Sequence, residues 1–175
     1  MRTPSKRQQQ FLQVYQPVHA DFERFCRARV YGQTEPEDLL HDALLIAFRK
    51  FDPKRSGRAF LSFLCGIAVR ILANQRHKAT ELPGLDGPLH QVPANGRETD
   101  ARADVHFLHE ALARLSSEQR ECIILFEING FNIREIAEIQ RASESAVKKR
   151  LERGRKRLKA LLTTTAPLRK EASHG

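Results

Sequence analysis

Between Arg141 and Leu162 this chain concentrates the side chains most able to do chemistry. Nine cations (Arg141, Lys148, Lys149, Arg150, Arg153, Arg155, Lys156, Arg157 and Lys159) stand there against Glu144 and Glu152, a local balance of +7. The whole 175-residue chain has 30 Lys and Arg against 21 Asp and Glu, a net charge of +9, so most of the excess sits in one short stretch. A cationic segment of this density is a phosphate-binding surface, and nucleic acid is the expected partner. With about four to six phosphates neutralised, log affinity should fall with log salt at a slope of roughly -3.6 to -5.4.

The residue types that carry covalent or metal chemistry are not arranged for it. Cys26, Cys65 and Cys122 lie far apart in apolar surroundings, with no CxxC and no Cys/His cluster at metal-ligand spacing, and read as reduced, buried thiols. A thiol hydrolase using Cys65 or Cys122 with one of the seven histidines is the weakest function class: there is no electropositive cysteine motif, no GxSxG and no Gly-rich phosphate loop. His106 and His109 sit three apart on one helix, but two ligands without a third read as a solvated face, so neither metal nor cofactor is expected. The polar, basic start and the lack of any run of about 18 uninterrupted apolar residues argue against export and direct membrane insertion.

The elements that must position the basic stretch are helical throughout, since no segment shows strand-like alternation. Residues 80–104, with three prolines, three glycines and no sustained apolar period, read as a flexible linker between two small helical domains, 1–79 and 105–162, followed by a frayed tail, 163–175. In the first domain Gln8 to Tyr31 is helical with Pro17 kinking or splitting it. Thr34-Glu35-Pro36-Glu37 reads as a capping box opening a second helix, which stops at Phe51-Asp52-Pro53. A basic loop, Lys54 to Arg58, precedes a third helix bearing Phe60, Leu61, Leu64, Ile67, Ala68, Ile71 and Leu72 on one broad face and ending at Arg76-His77-Lys78.

In the second domain a helix over Val105 to Leu115 is followed by a capping box at Ser116 to Gln119, and Asn129-Gly130 breaks the helix this opens. Asn132 to Glu135 caps a short apolar helix, and a turn at Gln140 to Ser143 leads into the basic helix from Glu144 to about Leu162. A short helix, a tight turn and a basic second helix make a helix-turn-helix, whose second helix fits the major groove. Ala137 allows close helix approach, Val147 and Leu151 form the inward stripe, and Ser143 caps the second helix so that free amides face a phosphate. Glu144, Ser145, Lys148 and Lys149 then lie near base edges, with Arg153 and the residues after it placed for phosphates. The bland reading is that this run is only the solvated side of an amphipathic helix; the capped helix and turn before it favour DNA.

Both domains resemble the small, two-domain extracytoplasmic-function sigma factors of bacterial RNA polymerase. EPEDLLHDALLIAFRKFDP and AFLSFLCGIAVRILANQR resemble the helices of conserved region two, and LSSEQRECIILFEINGFNIREIAEIQRASESAVKKRLERGRKRLKALL resembles region four nearly end to end. The resemblance implies that Asp38, Leu39, His41 and Asp42 dock on core polymerase, although helix capping alone also accounts for acidic residues at such a helix start. It implies that Lys54, Arg55 and Arg58 track the minus-ten strand, that Phe60 or Phe63 supports an unstacked base, and that Arg70, Asn74, Gln75, Arg76 and Lys78 bring donors beside it. For the two aromatics a core position is the stronger reading. Arg141, Ser143, Glu144, Ser145, Lys148, Lys149, Arg150 and Arg153 fall to the minus-thirty-five element.

This chain departs from the family pattern at His41 (usually Gln), Phe63 (commonly Trp), Arg70 and Asn74 (often Asn and Asp) and Gln140-Arg141 (usually Leu-Gly). A promoter-specificity subunit without catalysis follows, with core polymerase, promoter DNA and an anti-sigma factor as partners, no small-molecule substrate, and a cytoplasmic location. The competing reading is a stand-alone helix-turn-helix regulator whose first domain serves dimerisation.

Overall fold

A computed structural model describes residues 4–81 and 100–172, with side chains as far as Thr164. The described residues are helical, with no strand among them. The first part holds α1 (Lys6–Tyr15), a 3-10 turn (Gln16–Val18), α2 (His19–Val30), α3 (Pro36–Arg49) and α4 (Gly57–Glu81). The second holds α5 (Asp100–Ala113), α6 (Ser117–Ile123) running into a π turn (Ile124–Ile128), α7 (Ile133–Gln140) and α8 (Glu144–Ala172). Residues 82–99, most of the expected linker, lie outside the described residues.

Pro17, which has no N–H to give a helix, splits the first long segment as expected and falls in the 3-10 turn. Pro36 takes the first position of α3, where a missing N–H costs nothing. The Thr34–Glu37 capping box does not form: α3 starts one residue later with Glu35 as an N-cap that has no side-chain cap, and the Thr34 amide that Glu37 would accept from is bonded back to the Val30 carbonyl in the turn closing α2. At Ser116 only half of the box forms, Ser116 accepting from the Gln119 amide. The Asn132–Glu135 box is complete.

Two helices outrun the ends suggested by composition. α4 continues past Lys78 to Glu81, and α8 continues past Leu162 to Ala172, through residues expected to fray. Backbone hydrogen bonding carries a helix beyond the point where its apolar stripe gives out, so loss of period marks the end of packing and not of the helix. α4 is also long and apolar enough to cross a membrane, but half of its most apolar stretch is buried against neighbouring helices, as in a core helix.

One apolar core runs through both parts. Phe22, Phe25, Ala28, Leu64, Cys65 and Ala68 pack in the first, and Leu112, Ile124, Leu125, Phe131, Ile136 and Val147 continue it in the second. Within the second part α8 crosses α6 closely at Gly154, where an added Cβ would come within 3.2 Å of the Ile123 side chain. The parts meet where α4 packs on α7 and where α2 packs on the π turn and α5.

Candidate polymerase and nucleic-acid interfaces

Asp38, His41 and Asp42 recur one turn apart on the exposed side of α3. With Thr34, Leu72 and Gln75 they bound a groove of about 330 Å³ between α3 and α4. Leu39 lines the same groove from its floor at 5% exposure, because the apolar stripe that seats α3 on α4 passes through it. The surface left for a partner is acidic, which suits a basic partner.

The candidates for single-strand contact divide into three groups. Lys54, Asn74, Gln75 and Lys78 are exposed, the last three on the final turns of α4. Phe60 is 1% exposed, edge-on to Phe11, and is core and not a base platform. Phe63 is only partly buried and carries the Arg55 guanidinium 4.2 Å above its ring, so it is the aromatic that a base could reach. The third group is turned toward the second part. Arg58 forks onto Glu135 of α7, Arg76 lies 3.7 Å from Glu121 of α6, and Arg70 packs against its own helix at Gly66. Burial, and then the nearby Arg141 charge, lower the pKa of Arg70.

The helix-turn-helix is built as its residues imply. Ile136, Ala137 and Ile139 seat α7, and Val147 and Leu151 seat α8. Arg141 closes α7 in the left-handed conformation, φ 51°, ψ 48°, at a cost of about 1 kcal/mol that glycine would avoid. Ser143 Oγ accepts from the Ala146 amide at 3.1 Å and so opens α8. Glu144, Ser145, Lys148, Lys149 and Arg153 all face solvent on the first three turns of α8, Glu144 and Ser145 at the end where the first amides have no helical partner. Arg150 is drawn inward and donates to Gln140 Oε1 at 3.0 Å, and Arg155 is held by Glu127 at 2.6 Å.

A buried polar seam between the parts was not foreseen. Arg29 Nε donates to Glu121 Oε1 at 2.9 Å, and Arg120 donates to the Ala28 and Tyr31 carbonyls. Burial and the neighbouring Arg29 pull Arg120 down to about 9, so it stays charged at neutral pH. Gln140 Nε2 reaches Glu121 Oε2 at 3.2 Å while its oxygen takes Arg150, so this turn residue ties the basic helix to the seam. His106 and His109, expected on a solvated face, pack against the Tyr31 ring across the seam. The three thiols are free and buried, and burial raises each of them, Cys26 and Cys122 to about 12, too protonated to act as nucleophiles.

Comparison with known proteins decides the family. Sigma-70, region 4 matches residues 108–158. The RNA polymerase sigma factor CnrH of Cupriavidus metallidurans is 30% identical over 150 residues, covering 77% of this chain and 78% of the relative. This chain belongs to the ECF RNA polymerase sigma factors of the sigma-70 family.

The ECF RNA polymerase sigma factor SigM of Mycobacterium tuberculosis is also similar, 29% identical over 153 residues, 87% of this chain and 76% of the relative. Among solved structures, the sigma factor RpoE of Bartonella quintana, in complex with the anti-sigma factor NepR, matches with a TM-score of 0.74 and 28% identity over 87% of this sigma factor and 96% of that chain. CnrH bound to the cytosolic domain of CnrY shares the fold, with a TM-score of 0.63 and 24% identity over 88% of each chain. The protein is thus a non-enzymatic factor that directs RNA polymerase to promoters. The likeness spans both helical parts, which a regulator built on the helix-turn-helix alone does not account for.

Proposed function

We propose that the sigma factor divides promoter recognition between its two parts. The exposed α3 stripe of Asp38, His41 and Asp42 docks on core polymerase; the loop before α4 and the exposed end of α4 handle the minus-ten strand; and α8 enters the minus-thirty-five major groove by its capped N-terminus. The observation that carries this reading is the sidedness of α8: Val147 and Leu151 are buried while Lys148, Lys149 and Arg153 are exposed on its first three turns. The domain limits that go with it are 1–79, 80–104 and 105–162.

Reading both elements requires the parts to separate. The two elements lie about 25 base pairs apart, about 85 Å of duplex at 3.4 Å each. A compact chain of this length has a radius of gyration of about 16 Å, so the closed form spans only one element. The 18 residues between α4 and α5 reach about 60 Å when fully extended, enough to bridge much of that distance. An anti-sigma protein is the natural inhibitor, as the complexes of RpoE with NepR and of CnrH with CnrY suggest, and the cytoplasm is where core polymerase and promoters are met.

Charge reversal tests the docking assignment. Asp38→Lys with Asp42→Lys should reduce co-purification with bacterial core polymerase at least tenfold while duplex binding by α8 persists; undiminished co-purification would overturn it.

A further inference from the structure

The basic stripe of the first part already has an occupant. Arg58 Nε donates to Glu135 Oε1 at 2.6 Å and its Nη2 to Oε2 at 2.9 Å, with a further bond to the Gly130 carbonyl. Its guanidinium also lies 4.9 Å over the Phe131 ring. These ligands, two carboxylate oxygens, a carbonyl and an aromatic face, are what a phosphate and a base offer an arginine. Arg55 in the loop before α4, with Phe63 and Arg70 further along that helix, faces Glu138 and Ile139 of α7 across a space of about 230 Å³. Every one of these contacts comes from the helix-turn-helix part.

We propose that the acidic edge of α7, Glu135 with Glu138, stands in for promoter phosphates on the Arg55–Arg58–Arg70 stripe, so that single-stranded DNA and the helix-turn-helix compete for the same guanidinium groups. The proposal rests on the reading of that stripe as strand-tracking. The hydrogen bonds with Arg58 lower the Glu135 pKa, so the carboxylate stays ionised and keeps its charge on the stripe at neutral pH. The mask is a weak one by construction. Arg58 is 52% exposed and Glu135 25%, and exposed ion pairs contribute little net stability, so a phosphate backbone making several such contacts can displace it. Arg141, at the far end of α7, adds repulsion against Arg70 that separation would relieve. The free protein would therefore hide its minus-ten surface from stray single strands and expose it only when the parts are drawn asunder.

Glu135→Gln tests this without breaking the fold, because glutamine at that position preserves the capping box with Asn132. Binding of a short fluorescent single-stranded oligodeoxynucleotide to the full chain should tighten about two- to fivefold in Glu135→Gln. That gain should vanish in an Arg58→Ala background. A gain of equal size with Arg58→Ala present would be a general charge effect and would overturn the mask. No gain from Glu135→Gln, with Arg58→Ala still weakening binding, would overturn the mask and leave the strand-tracking reading intact. If Arg55→Ala with Arg58→Ala leaves strand binding unchanged, the strand-tracking reading fails and the mask fails with it.

Discussion

Arg29 on α2 holds Glu121 on α6 at 2.9 Å, 92 residues apart in sequence, with both side chains almost wholly withdrawn from water. The pair joins the first part to the helix-turn-helix, and its desolvation is offset only while both partners are present. Removing one leaves a buried charge. Arg29→Met or Glu121→Met alone should therefore cost about 3–5 kcal/mol, and the double variant should recover most of the loss. Urea unfolding of the three variants checks this; additive losses would mean that the pair does not act as a unit.

Lys148 and Lys149 are exposed on the N-terminal turns of α8, and neither has a carboxylate partner within 4.0 Å among the described residues. Replacing both by alanine should abolish selective binding to the upstream promoter element and reduce the salt slope of duplex binding by about 2, leaving polymerase association intact. Titration of promoter duplex at several salt concentrations measures both. An unchanged slope would place these lysines away from DNA.

His109 lies half-buried against Tyr31, and its pKa is lowered by burial first and then by Arg120, His106 and Arg27. The same cavity is faced by Arg102, Glu35 and Glu37, and His106 sits 3.3 Å from Glu110. A histidine held neutral in the folded chain binds fewer protons there than when unfolded, so its contribution to stability is full above about pH 6.5 and is lost as pH falls through its depressed value. The thermal midpoint should thus rise with pH across that window, and His109→Gln should flatten the rise. An identical pH profile in the variant would contradict the assignment.

The helix-turn-helix was legible because each of its signals is local. Asn132–Glu135 capping, the Val147–Leu151 stripe and the Ser143 cap are all decided within a few residues, and the structure places each where its chemistry requires. The Thr34 box misled because its amide was already engaged by the preceding turn, a contact no local pattern encodes. Arg29, Glu121 and Gln140 gave little warning of a buried role. In sequence they look like surface residues of amphipathic helices, and only the meeting of two distant helices makes them interior. The one available hint was a charge at a position the apolar period assigns to the core, as at Arg29 between Ala28 and Val30.

Transcription from host genomic DNA by purified bacterial core polymerase, with and without this chain, tests the central claim. Its addition should produce a new set of start sites sharing one upstream element, and Lys148→Ala with Lys149→Ala should erase that set. Start sites and yields that are the same in its presence and absence would contradict the account.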